Sequence, residues 1–142
     1  MYLDCLRMRY GDSLKSRIEV PDELLEVKIP KLCIQLLVEN AVRSVTTAAP
    51  PWQVDVSCRI EGENWTVTVS DNGPGFDPEV DRQLRSRMDQ ILATGTLPGL
   101  QIQGMGILNI FIRLYLLDGI PFIFDMGDRE GGGAFVTIGG RI

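Results

Sequence analysis

Trp65-Thr66-Val67-Thr68-Val69-Ser70 followed by Asp71-Asn72-Gly73-Pro74-Gly75 is the stretch on which the fold turns. Trp65, Val67 and Val69 alternate with polar residues, the period of a strand with one buried face. An acid, two glycines and a proline then bend the chain. Upstream, Gln53 to Ile60 has the same alternation, and Glu61-Gly62-Glu63-Asn64 joins the two runs as a hairpin. Ser16 to Val20 reads as an earlier strand ended by Pro21. Ile29-Pro30 precedes a helix over Lys31 to Val45, proline being well suited to a first turn. Downstream lie a polar helix candidate from Glu79 to Leu92, an apolar helix from about Met105 to Leu117, and strands Phe122 to Met126 and Ala134 to Ile138. This order predicts an α/β two-layer sandwich: a mixed, mostly antiparallel sheet with helices on one face.

The 142 residues suffice for one domain with one core, and 44% hydrophobic with 23% charged residues is ordinary for a globular protein. A net charge of −5 argues against nucleic-acid binding, which normally needs a basic face. The longest apolar run, Ile107 to Leu117, is interrupted by Asn109 and Arg113 and falls short of a membrane span; no signal-peptide pattern opens the chain. The expectation is therefore a cytoplasmic piece that is not itself membrane-embedded. Cys5, Cys33 and Cys58 form no Cys-x-x-Cys pair, so they read as reduced core thiols. Histidine is absent, which removes Ser-His-Asp chemistry and most zinc hydrolases.

Three motifs carry candidate chemistry. Asp71, at a strand end, can accept the exocyclic amine proton of adenine if buried, with Gly73 and Gly75 letting backbone approach a flat ring; the same residues also make an ordinary turn. Asn40 places an amide in mid-helix among Leu36, Leu37, Val38 and Ala41, where it needs a partner, and its oxygen suits Mg²⁺. Arg43 and Ser44, a turn on, can meet phosphate oxygens, and Glu39 can orient water or take a proton. Alternatively, Glu39 and Arg43 form a solvated surface pair. Gly104 and Gly106 stand where a helix begins and offer backbone N–H groups to phosphates. The polar segment from Asn72 to Gln103 reads as a lid.

Taken in order, Glu39-Asn40-Ala41, Asp71-x-Gly73-x-Gly75 and Gly104-x-Gly106-Ile107-x-Asn109 with Arg113-Leu114 resemble the N, G1 and G2 boxes of the GHKL ATPases. Arg9-Tyr10-Gly11-Asp12 before Ile18-Glu19-Val20-Pro21, and Gln35-Leu36-Leu37-Val38 before Glu39, are similar to the LytS/YesM-like sensor histidine kinases. The resemblance implies a Bergerat ATP-binding fold over residues 13–142, a lid at 76–103, and residues 1–12 as the remnant of a helix from an upstream dimerisation domain. It further implies ATP and Mg²⁺ as ligands, with Glu39 catalytic, Asn40 on the metal, and Arg43, Ser44, Asp71, Gly73, Gly75, Gly104, Met105, Gly106, Ile107 and Leu108 around the nucleotide. The expected activity is transfer of the γ-phosphoryl group to a histidine on the upstream domain, with a response regulator as partner. The full-length protein is expected to be a homodimer in the cell membrane, with this domain on the cytoplasmic side. A GHKL ATPase, a protein-serine kinase and a degenerate interaction module are the alternatives. The chain departs from the family at Arg43 and Ser44, where Lys and His are usual, and at Ala134, where a Thr is usual.

Overall fold

The computed structural model describes residues 14–19, 31–46, 51–95, 106–118 and 123–141. Among these residues the sheet has five strands, β1 (Leu14–Glu19), β2 (Trp52–Glu61), β3 (Asn64–Asp71), β4 (Ile123–Asp128) and β5 (Ala134–Arg141). Their spatial order is β1-β2-β3-β5-β4, so β1 and β4 are the edges. β1 runs parallel to β2, and the other pairs are antiparallel. Among the described residues three helices accompany the sheet: α1 (Lys31–Val45), α2 (Pro78–Thr94) and α3 (Gly106–Asp118).

Strand periodicity decides which side chains meet the helices. Val56 pairs with Val69, Cys58 with Val67, Val69 with Val136, and Val67 with Ile138, and all of these are buried. The intervening residues Thr68 and Thr137 face away and link their hydroxyls at 2.8 Å. One face is therefore a hydrocarbon surface and the other a polar one. α1 lies over β2 and β3 and against α3, burying Leu37, Val38, Ala41, Val42 and Val45. α3 adds Ile107, Leu108, Ile110, Phe111 and Leu114, and Phe111 meets Phe124 of β4 edge-to-face at a centroid distance of 5.3 Å. Burial raises the thiol pKa of free Cys58, as expected of a core cysteine. Cys5 lies outside the described residues, as does the side chain of Cys33.

The segment expected as a lid at 76–103 contains α2, a packed helix. Leu84, Met88 and Ile91 project into the core at helical spacing, so this part of the segment packs on the rest of the fold. Asp77 caps its start, accepting the N–H groups of Glu79 at 2.8 Å and Val80 at 3.4 Å, with Pro78 following. Gly95, at φ 68°, ends it by donating its N–H to the Ile91 carbonyl. Asp77→Ala is expected to cost about 1 kcal/mol of unfolding free energy in urea titration, the usual worth of a cap. An unchanged midpoint would mean that this end of α2 is held by its core contacts alone. Residues 96–103 lie outside the described residues, as do residues 1–12. No helix among the described residues is long and apolar enough to cross a membrane.

Candidate functional site

Because side chains alternate along β3, Asp71 falls on the same face as Val67 and Val69, beneath the helices. It is 4% exposed, one of two buried polar side chains among the described residues. Burial raises its pKa above the ordinary carboxylate range. The backbone N–H groups of Gly73 and Ala134 and the Arg129 guanidinium partly offset this by favouring the charged form. The Gly73 N–H donates to Oδ1 at 2.8 Å.

A small cleft opens above this carboxylate, walled by Asn40, Ala41 and Ser44 of α1, Val69, Gly75, Phe76 and the start of β5 at Ala134 to Val136. Asp71 and Asn40, expected on separate elements, thus face one space. Apolar walls with two convergent polar groups suit a flat heteroaromatic ring with a polar edge. Gly73 supplies close approach, since a Cβ there would lie 3.0 Å from Asp71 Oδ1 and 3.1 Å from the Val45 Cα. The Asx-type bend and the ligand-facing carboxylate are therefore compatible: Asp71 folds the loop with one oxygen while lining the cleft.

The expected residues are distributed unevenly. Asn40, Ser44, Asp71 and Gly75 line the cleft, and Gly73 stands behind Asp71. Glu39 is half-buried on α1 and accepts the Gln35 side-chain N–H at 3.4 Å. Arg43 is exposed, and among the described residues no ion pair joins it to Glu39, so the surface-pair alternative does not occur. Ile107 and Leu108 send their side chains into the core, leaving backbone alone for any ligand, and Gly106 opens α3. Gly104 and Met105 lie outside the described residues.

Three features around the cleft lie outside the expected site residues. Asn72 clips the loop to β2, its Oδ1 accepting the Gln53 N–H at 2.9 Å and its Nδ2 donating to the Pro51 carbonyl at 3.1 Å. Asp128 Oδ1 accepts the Phe76 N–H at 2.8 Å, and Arg129 Nη1 donates to the Asp71 carbonyl at 3.0 Å. Gly133, at φ 100°, lets β5 start directly against Asp71: a Cβ there would overlap the Asp71 carbonyl oxygen.

Asn40 has no hydrogen-bond partner among the described residues, so its amide oxygen is available to a cation. No group of three or more His, Cys, Asp or Glu side chains that could hold a metal occurs among the described residues. That donor set fits a magnesium ion held mainly by phosphates and water with one protein amide, the usual arrangement for this ion. A second hollow, about 560 Å³, lies between α2, α3 and β4, lined by Met88, Phe111, Phe124 and Met126. Arg85 at its wall is tied to Asp81 and the Met126 carbonyl, and it contains none of the motif residues, so the smaller cleft is the candidate site.

Sensor histidine kinase YesM of Bacillus subtilis is 30% identical over 125 residues, 85% of this chain and 18% of that protein. Sensor histidine kinase YpdA of Escherichia coli is 32% identical over 119 residues, 83% of this chain and 19% of that protein. The chain thus spans about a fifth of the length of these relatives. Among solved structures, the catalytic domain of histidine kinase ThkA superposes with a TM-score of 0.63 at 16% identity, covering 99% of this chain and 87% of that one. The mycobacterial sensor histidine kinase MprB gives 0.58 at 18% identity, covering 96% of this chain and 87% of the other. Residues 26–138 match the family described as histidine kinase-, DNA gyrase B- and HSP90-like ATPase. That match covers most of the chain, and the chain belongs to that family.

Proposed function

We propose that this chain is the ATP-binding catalytic part of a two-component sensor histidine kinase. The observation that carries the reading is the buried Asp71 carboxylate sharing a cleft with the unpaired Asn40 amide. Asp71 accepts a hydrogen bond from the adenine amine, while Phe76, Val69 and Ala41 pack on the ring. Asn40 holds Mg²⁺ through its amide oxygen. Arg43 and Ser44, with backbone N–H groups at the start of α3 and at Gly104 and Met105, receive the phosphates. Glu39, beside Asn40, orients the attacking group or takes its proton. When bound, Mg-ATP supplies the transferable phosphoryl group and the cation that neutralises its charge.

The chain contains no histidine, so the phosphoacceptor belongs to another segment, the upstream dimerisation domain of a homodimeric receptor. A response regulator as the next partner is supported by ThkA, which has been solved in complex with the response regulator TrrA. Placement at the cytoplasmic side of a membrane-bound receptor follows from the same reading.

Thermal unfolding with and without Mg-ATP tests nucleotide binding. Ligand at a hundred times its Kd should add about 2.7 kcal/mol of stability. Neither heat in calorimetry nor a rise in Tm would instead favour an interaction module that has lost nucleotide. Phosphotransfer is read by adding the upstream histidine domain in trans: label on that domain supports the kinase, while phosphate release without label supports an ATPase.

A further inference from the structure

We infer that Arg129 is a positioning residue that sets the preference of the cleft for adenine, an inference resting on the adenine-reading role proposed for Asp71. Two consecutive residues at the end of β4 hold both ends of the loop that forms the base pocket. Arg129 Nη1 grips the Asp71 carbonyl at 3.0 Å, and Asp128 Oδ1 takes the Phe76 N–H at 2.8 Å. The clasp is itself braced: the Arg129 N–H donates to the Gly133 carbonyl at 2.8 Å, and the Gly132 N–H returns to the Arg129 carbonyl at 3.1 Å. The hairpin loop between β4 and β5 is therefore a closed ring pressed against the Asp71 backbone, with Gly133 allowing the contact.

The side of Asp71 that Arg129 holds matters. Gly73 fixes the carboxylate from within its own loop, and β2 fixes the next residue through Asn72. On the β5 side the ladder ends with Ser70 paired to Phe135 and the Ala134 N–H meets the carboxylate, and Arg129 adds a grip on the Asp71 carbonyl itself. Its charge also favours the ionised carboxylate that an amine donor needs. Arg129 does not line the cleft, so it acts through Asp71 and touches no part of the ring.

The test compares ADP with inosine diphosphate, which replaces the adenine amine by a carbonyl, using calorimetry on the 142-residue chain without magnesium. Loss of general stability weakens both ligands alike; displacement of Asp71 erodes only the difference between them. Arg129→Gln is expected to cut the preference for ADP about tenfold, the usual size of a charge-assisted contact. Arg129→Lys keeps the cation and should retain most of the preference. An Arg129→Gln chain that binds ADP and inosine diphosphate with the wild-type ratio overturns the inference. If that variant fails to fold, Arg129→Met, which keeps the aliphatic stem and removes the cation, takes its place, and a wild-type ratio there overturns the inference. Asp71→Asn is the control: an unaltered preference there removes the adenine-reading role, and this inference with it. A collapsed preference there with a wild-type ratio at Arg129→Gln removes this inference alone.

Discussion

Asp71→Asn is expected to weaken ADP binding by about 1.5–3 kcal/mol, roughly 10- to 150-fold, while the protein still folds. The asymmetry follows from the surroundings of the side chain. With the Asn oxygen held by the Gly73 N–H, its amide nitrogen takes the place of the second carboxylate oxygen. That nitrogen donates, so it faces the adenine amine donor-to-donor. The fold meanwhile sheds a buried charge that burial already disfavours.

The pH dependence has a definite sign. The folded-state pKa of Asp71 lies above its unfolded value, so the native protein holds this proton more tightly. Its stabilising contribution is complete below the unfolded pKa and is lost as pH rises through the folded one. The stability of wild type relative to Asp71→Asn should accordingly fall with rising pH across that window and then level off. Urea midpoints of both proteins from pH 3 to 8 read this directly; parallel profiles would mean that the carboxyl titrates as if solvated. ADP affinity unchanged by the substitution would place the base elsewhere.

Gly133→Ala is expected to be the most damaging single change near the cleft, lowering stability by about 2–5 kcal/mol. A left-handed backbone costs a side-chain-bearing residue about 1–2 kcal/mol, and forcing atoms into filled space typically adds about 1–3. Here the filled space is the Asp71 carbonyl itself, the atom that Arg129 grips. Stability and ADP affinity should therefore fall together, whereas Asp71→Asn loses affinity alone. A Gly133→Ala protein with wild-type urea midpoint would mean that the β4–β5 loop can move off Asp71 freely.

The helix α1 was legible to its ends, Lys31–Val45, because a proline entry, an apolar stripe and a proline pair beyond it are all local signals. The strands were legible from their alternation. β5, however, runs on to Arg141 past the expected end at Ile138, since Gly139 and Gly140 pair with Thr66 and Trp65. Gly139 reads as a strand end by propensity, yet a Cβ there would meet the Trp65 carbonyl at 2.5 Å, so close strand packing selects glycine. Asp71 and Asn40 stood out because a polar group on an apolar face calls for a partner. Asp128 and Arg129 did not, being 52 and 58 residues from the groups they hold. In sequence they look like solvated turn residues. Leu37, Val69 and Val136 were hidden for the opposite reason: a pocket wall and a core share one composition.

The edge position of β4 bears on how copies of the protein meet. A terminal strand offers unsatisfied N–H and C=O groups as a template for a foreign strand. This one carries Asp125 and Asp128 exposed along six residues. Two copies docking there would bring carboxylates of like sign together, so the charges along this edge guard against cross-chain zippering.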